Sequence, residues 1–420
     1  AIARIFERLG HKVIRQNHVG DWGLPIAMVT AKLMQLEEQG RDISRLKLDE
    51  LEVLYKTAQK ECDADERGLA MVHKYNLGPK AEAEIGTQVE EAREHLARAK
   101  STLVKLQAHE PRTYAMWKRI ADLTMEACLS TCRRMGATVL AEHSAGESSY
   151  AEELAPMVDE LVRMGITEES NGALVIRVEG LDEPCIIRKS DGGFLYATTD
   201  MAAIRRRVQK LGADRVVYCV DARQSLHFKQ VFGAAHRAGF DMAPGRTTSA
   251  RLEHAAFGTI LGTDGKPFKT RSGASVKLSD LLDEAVSRAA RVVDEKSADL
   301  PADERARISE AVGIGAIKYA DLSNDRIKDY VFDFDRMLAF EGNSGPYLLN
   351  AAVRIRSIFR KAGGPPSSGA AIVIAAKEEK DLALALLRFP EATRTAAEAL
   401  EPHRICQYLY ALASTFSGFY

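Results

Sequence analysis

Four stretches of this sequence gather side chains and glycines that could hold a charged small molecule. The first is NHVGDWG at 17–23, where His18, Asp21 and Trp22 stand beside Gly20 and Gly23, glycines that let a backbone approach a ligand closely. The second is YATTD at 196–200, which ends on the carboxylate of Asp200. The third is DARQ, from Asp221 to Gln224, directly after the apolar run VVYCV at 216–220. In open α/β sheets, ligands bind beyond the carboxyl ends of the strands, and these three polar groups fall there if 12–19, 194–198 and 216–220 are strands. Each has a plainer explanation. Thr199 or Asp200 could cap a helix over 201–211, Asp221 could be an ordinary loop carboxylate, and Trp22 a core aromatic.

The fourth stretch, 257–277, reads FGTILGTDGKPFKTRSGASVK. Asp264-Gly265 is a turn signal between two short strands. It is followed by Lys266, Lys269, Thr270, Arg271, Ser272 and Gly273, with no acid from 265 to 279. Lysines, hydroxyls and a glycine together suit a triphosphate or a pyrophosphate leaving group, whose developing charge they neutralise. The spacing is not that of a Walker loop, since no GxxxxGK[ST] precedes a helix. A basic surface hairpin is the alternative.

The elements that must position these groups follow from periodicity. A helical, strongly charged pattern runs over about 28–135, with the i, i+4 opposite charges of an exposed helix near residue 90. Strand signals return at 172–178, 185–189 and 194–198, then a helix, then the fully apolar strand 216–220 of the kind buried in a parallel sheet. Alternating strands and helices predict an α/β fold, an open doubly wound parallel sheet of the Rossmann type with a helical insertion. From residue 279 the pattern turns helical, with breaks at 299–303, 342–346 and, most linker-like, GGPPSSG at 363–369.

Composition narrows the class. At 420 residues, 46% apolar and 28% charged, the chain has the make-up of a soluble globular protein of two or three domains. No apolar run reaches the roughly 18 residues of a membrane helix. Six cysteines do not make a disulfide framework in a chain this long, and Cys128 and Cys132, one turn apart, have no second Cys/His pair to complete a zinc site. Net charge is −1, so only local clusters at 205–207, 266–277 and 354–361 offer basic faces for a nucleic acid. The opening residues read as the end of an amphipathic helix, and the chain as beginning inside a domain.

Six strings, NHVGDWG (17–23), DGGFLYATTDMA (191–202), VVYCVDARQ (216–224), LEHAAFGTILGTDGKPFKTRSG (252–273), GIGAIKYADLSNDRIKDYVFDFDRMLAFEGNSGPY (313–347) and LYALASTFSGFY (409–420), resemble arginyl-tRNA synthetases in the same order. The resemblance implies a class I catalytic domain over 1–285 with its insertion, a helical connecting region over 286–345, and an all-helical anticodon-binding domain over 346–420. It implies arginine–tRNA ligation, with L-arginine, ATP with Mg2+, and tRNA(Arg) as partners, by a cytoplasmic monomer with no membrane partner. Tyr196 and Asp200 match positions that hold the substrate side chain, and Gln224 one that contacts its amino-acid end. A permanent planar cation such as guanidinium pairs best with a fixed carboxylate. Lys266, Lys269 and Arg271, with Ser272 and Gly273, resemble a degenerate counterpart of the class I KMSK loop. His254, Phe257 and Gly258 resemble the segment beside the adenine. No protein ligand for Mg2+ is assigned. On the helical side, Arg354 and Arg356 are candidates for tRNA phosphate contacts.

Several positions depart from the family pattern. The HIGH motif is expected just upstream of Ala1, so this stretch alone is expected not to activate arginine. Leu24-Pro25-Ile26-Ala27 stands where the family shows Gln-x-Gly, Ser225 where a histidine is frequent, and Leu349-Asn350-Ala351-Ala352 where Gln-Tyr-Ala-His is typical. The anticodon domain is expected to continue beyond Tyr420. Two other readings accommodate these departures: a paralogue passing an amino acid to a non-tRNA acceptor, and a non-catalytic tRNA- or RNA-binding protein.

Overall fold

The computed structural model describes residues 1–43, 45–268, 276–364 and 371–420. A short helix α1 (Ile2–Arg8) leads into 12–19, expected as a strand. That segment instead makes a single parallel bridge, Asn17 to Ser144. The Asn17 N–H donates to the His143 carbonyl at 2.7 Å, and its own carbonyl accepts from the Ala145 N–H at 3.0 Å. The partner is thus an irregular loop, which offers too short a ladder for a regular strand.

Five helices follow: α2 (Leu24–Glu38), α3 (Leu48–Glu61), α4 (Glu66–Tyr75), α5 (Pro79–Gln107) and α6 (Pro111–Arg134). Their starts are written locally. Pro25, Pro79 and Pro111 occupy first-turn positions, where a missing N–H costs nothing. Glu110 caps α6 by accepting from the Arg112 and Thr113 N–H groups. Val29, Leu33, Leu51, Leu54, Met116 and Ile120 close one core among these helices. A second, aromatic cluster of Trp22, Leu106 and Trp117 joins them to the 17–23 loop.

Helix α7 (Ala151–Arg163) precedes an antiparallel three-stranded sheet of β1 (Glu168–Ser170), β2 (Ala173–Ile176) and β3 (Cys185–Arg188). Residues 194–198 do not form a strand: Phe194 bridges back to Arg188, and α8 (Tyr196–Arg205) already begins at Tyr196. The Thr198 hydroxyl decides this. It accepts from the Leu195 N–H at 3.3 Å and donates to the Ile187 carbonyl at 2.5 Å, so a β-branched residue starts a helix. A π-helical turn over 206–210 extends α8.

Next comes β4 (Arg215–Tyr218), paired in parallel with β5 (Arg251–His254) across α9 (Ser225–Arg237). Val216 and Tyr218 are buried, whereas Cys219 is exposed toward a cavity. The main core wraps this region, with Met157, Leu161, Ile176, Ile187, Met201, Ile204 and Val231 all essentially inaccessible. The basic cluster at 205–207 is absorbed internally: Arg205 pairs with Glu160, Arg206 with Glu153, and Arg207 is buried over the Tyr218 ring. It presents no free cationic face.

A second parallel pair joins β6 (Ile260–Leu261) to a strand far along the chain. Between them, α10 (Leu278–Lys296) and α11 (Ala302–Ser323) form a tightly packed helix pair, and Gly313 permits it. A Cβ there would lie 2.7 Å from the Val286 backbone. The chain then returns through β7 (Tyr330–Val331) to pair with β6 before α12 (Phe334–Met337). The end of the chain is helical: α13 (Gly345–Lys361), α14 (Lys377–Leu387), α15 (Phe389–Ala399) and α16 (His403–Phe419). Ser344 caps α13 through the Tyr347 N–H. No helix is long and apolar enough to cross a membrane, among the described residues.

Candidate active site

A cavity of about 1870 Å³ runs the length of β4, past its carboxyl end to Gln224, and is bordered on another side by α1 and the segment that follows it. Its polar wall brings together His18, Gly20, Glu147, Tyr196, Asp200 and Gln224, with Arg207 and His227 behind them. Five of these are sequence candidates; Glu147, His227 and Arg207 are not.

Asp200 sits in the interior of α8, five residues past its N-cap Leu195, so it does not cap that helix. It is 7% exposed. Its Oδ2 lies 2.8 Å from His227 Nε2, on the first turn of α9, and its Oδ1 lies 3.6 Å from His18 Nε2. His18 Nδ1 is 3.0 Å from the Ala145 carbonyl, a contact that requires a proton on Nδ1. Burial holds the His18 pKa below its ordinary value, against the pull of the Asp200 charge. A neutral His18 with its proton on Nδ1 turns a lone pair toward Asp200, so His227 is the donor that orients the carboxylate.

Glu147 faces the same space. Burial pushes its carboxyl up to about 7, with the charges of Asp21 and Asp200 adding to the effect, while a hydrogen bond from the Trp22 backbone opposes it. Acids crowded together at one wall make an arrangement that a bound cation relieves. Raised above an ordinary value of 4.5, Glu147 contributes stability that is complete below that pH and is lost as pH rises through about 7. The Glu147→Gln variant should therefore gain stability over the parent as pH goes from 5 to 8, read as the urea midpoint of each. A pH-independent difference would mean that Glu147 is not held protonated there.

Asp21 lies behind this wall: its carboxylate accepts from the Ser148 N–H at 2.9 Å and the Ser148 hydroxyl at 2.7 Å, tying the 17–23 loop to the segment that carries Glu147. Trp22 does not line the cavity. It packs edge-on against Trp117 with ring centres 5.1 Å apart, the core aromatic of the plainer reading. Tyr196 is 56% exposed, with its hydroxyl above Gly23. Gln224 closes the short turn after β4, its N–H donating to the Asp221 carbonyl at 3.1 Å. The Arg223 guanidinium engages Asp221 and depresses its carboxyl to about 2. Asp221 is thus internally satisfied rather than aimed at a ligand.

The second group lies along β5 and β6, outside the cavity wall. His254 Nε2 meets the Val220 carbonyl at 3.0 Å, and its ring packs tilted against Phe228 with centres 4.6 Å apart. Phe257 is 44% exposed. Gly258 is required by close approach, because a Cβ would stand 2.8 Å from Asp329 and from the Lys328 backbone. Lys266 is exposed on the turn closed by the Gly262 N–H to its carbonyl at 2.8 Å, where Gly265 has φ +71. Lys269, Arg271, Ser272 and Gly273 lie outside the described residues. Arg354 and Arg356 are exposed on α13, with Arg354 over the Tyr420 ring at 5.7 Å. No group of three or more His, Cys, Asp or Glu able to hold a metal occurs among the described residues.

Of the missed residues, His227 had a signal, standing three positions after Gln224 on the same side of a helix start. Glu147 and Arg207 had none, since the approach of Glu147 to Asp200, and of Arg207 to Gln16 and His18, depends on loop and helix packing.

Comparison with known proteins identifies the family. The family described as tRNA synthetases class I (R), catalytic domain, matches residues 1–334, and the DALR anticodon binding domain matches residues 348–420. The arginine–tRNA ligase of Cellvibrio japonicus is 42% identical, the whole chain aligning with 68% of that relative. That of Pseudomonas entomophila is 43% identical, with the same share covered. Among solved structures, arginyl-tRNA synthetase from Plasmodium falciparum superposes with a TM-score of 0.76 at 25% identity, over all of this chain and 65% of that one. The Thermus thermophilus arginyl-tRNA synthetase gives 0.70 at 24%, a likeness that speaks for the fold. The chain therefore spans about two thirds of the length of these relatives. A chain whose class I catalytic domain is joined to a helical DALR domain, and which is matched end to end at this identity, belongs to the arginyl-tRNA synthetase family.

Proposed function

We infer that this chain supplies the arginine pocket and part of the ATP cradle of arginine–tRNA ligation, in a monomeric cytoplasmic enzyme. The observation that carries this is the gathering of carboxylates at one cavity, Asp200 and Glu147 on its wall and Asp21 behind them, with Tyr196 at the edge. A guanidinium is a planar, permanent cation with five donors, able to engage two acids at once. Gln224, which lines the same cavity, takes the amino-acid end. The arginine carboxylate attacks the α-phosphorus of ATP, the bond to pyrophosphate breaks, and arginyl-adenylate forms. A ribose hydroxyl at the tRNA 3′ end then attacks the acyl carbon and AMP leaves.

These side chains act by orientation and charge rather than through a covalent protein intermediate. Phe257 offers a ring face to the adenine beside His254 and Gly258. Lys266, with Lys269, Arg271, Ser272 and Gly273 after it, neutralises the charge that develops on pyrophosphate. Mg2+ enters with the ATP phosphates; the described residues provide no cage for it.

The test is charging of tRNA by the full-length protein with each amino acid offered separately. Arginine should be accepted and lysine and citrulline refused, the first for its point charge and the second for its lack of charge. Efficient charging with any amino acid other than arginine would sink the assignment. The KM for arginine should also fall as pH rises through about 7, where Glu147 ionises, and Glu147→Gln should flatten that profile.

On α13, Arg354 and Arg356 contact tRNA phosphates in this reading. The double alanine variant should bind tRNA more weakly, with a log-affinity against log-salt slope shallower by about 0.7 to 0.9 for each phosphate no longer neutralised. An unchanged slope would remove this face from the interface.

A further inference from the structure

Three guanidinium groups from the catalytic half converge on the last turn of α15, in the helical domain. Arg251 on β5 donates to the Glu398 carboxylate at 2.6 Å. Arg215 on β4 donates to the Glu398 carbonyl at 3.1 Å. Arg326, from the loop between α11 and β7, donates through Nε to the Leu400 carbonyl at 2.8 Å. A helix end is the place for cations, because its last carbonyls lack intrahelical partners and carry the negative end of the dipole.

Arg326 differs from the other two in what its remaining atoms do. Its Nη1 donates to the Ala256 carbonyl at 2.6 Å, and its own carbonyl accepts from the Gly258 N–H at 2.7 Å. Three residues on, Asp329 accepts from the Thr259 N–H at 2.6 Å. The 256–259 segment is therefore held by the 326–329 loop, and that loop is held by the end of α15. One planar fork reaches both carbonyls, which a lysine ammonium on a flexible stem cannot do in the same geometry.

We propose that Arg326 is a positioning residue that couples the helical domain to the nucleotide site, setting the placement of Ala256, Phe257 and Gly258 according to where the α15 end sits. This rests on the reading that 254–258 borders ATP. A shift of the α15 end, as on docking of a polynucleotide to the helical domain, moves the Leu400 carbonyl. The guanidinium, bonded to both carbonyls, then either draws Ala256 along or gives up one of the two bonds, and ATP affinity follows.

The test uses full-length protein and four variants: Arg326→Lys, Glu398→Ala, both together, and Phe257→Ala as a reference. KM for ATP, KM for arginine and melting temperature are measured for each. Arg326→Lys should raise KM for ATP about tenfold, the size of one lost charge-assisted hydrogen bond, and leave KM for arginine within twofold. Glu398 borders the far end of the cavity but makes no hydrogen bond to 256–259 or to the Asp200 and Glu147 cluster, and its side chain is 72% exposed, so the fold survives Glu398→Ala. It should raise KM for ATP about threefold, and the double variant should show less than the product of the two, since both act through one helix end. An equal rise in both KM values, a silent Glu398→Ala, or a fully multiplicative double variant would each overturn the coupling. If Phe257→Ala leaves KM for ATP unchanged, the placement of the nucleotide fails and the proposal with it. A raised KM in Phe257→Ala with none in Arg326→Lys would sink the coupling alone.

Discussion

Replacing Asp200 with asparagine in the full-length protein should lower kcat/KM for arginine roughly 30- to several-thousand-fold while leaving the melting temperature close to that of the parent. The range is that of removing one partner from a partly desolvated charge pair, about 2 to 5 kcal/mol, at about 1.4 kcal/mol per tenfold. The structure sharpens the experiment. Asp200 is inside α8, so no capping interaction is lost. Asparagine can still accept the proton of His227 Nε2, which lies 2.8 Å from Oδ2, so the local hydrogen bond survives. Only the charge goes. Because Glu147 and Asp21 stand close by, part of the cation's attraction remains, which places the expected loss within the range rather than beyond it. Charging kinetics with arginine varied, run beside thermal unfolding, provide both readouts. Near-normal kcat/KM would reduce Asp200 to a buried hydrogen-bond acceptor.

Truncating Trp117 to alanine should destabilise the protein by about 3 to 5 kcal/mol, the usual cost of emptying a buried aromatic site. Trp117 is 7% exposed and packs against Trp22 and Leu106. Its indole Nε1 also donates to the Asp21 carbonyl at 2.6 Å. The insertion thereby fixes the 17–23 loop, whose Asp21 side chain in turn holds Ser148 next to Glu147. Trp117→Phe keeps most of the apolar surface and drops the hydrogen bond, leaving a partly buried carbonyl without this donor at a cost of about 1 to 3 kcal/mol. Urea unfolding of the two variants separates packing from hydrogen bonding. Equal losses would mean that the hydrogen bond, not the ring stack, ties the loop down.

The arginines of 205–207 illustrate how far a local pattern can mislead. The run reads as a basic face, yet each member has an internal partner, and Arg207 ends over the Tyr218 ring. The polar face of a helix is visible in a sequence, but whether another element lies against it is not. The same holds for YATT, whose β-branched residues favour a strand by propensity. The Thr198 hydroxyl finds Ile187 across the hairpin and starts a helix instead. Pairing partners outside the window override local preference.

The α/β character, the helical insertion, the helical end of the chain and the family were all legible along the chain, because turn residues, caps and motif strings are local and can be read one at a time. Asp200, Tyr196, Gln224 and His18 were legible in the same way as neighbours of one cavity. Packing alone brings Glu147 and His227 to join them, sets Asp21 and Trp22 behind the wall, and makes Arg326 a bridge between the two halves. Each of those facts concerns segments tens or hundreds of residues apart, with Glu147 lying 53 positions before Asp200 and Arg326 lying 74 before Leu400. Contacts of that span are fixed by the shape of the core between them, which no window along the chain contains.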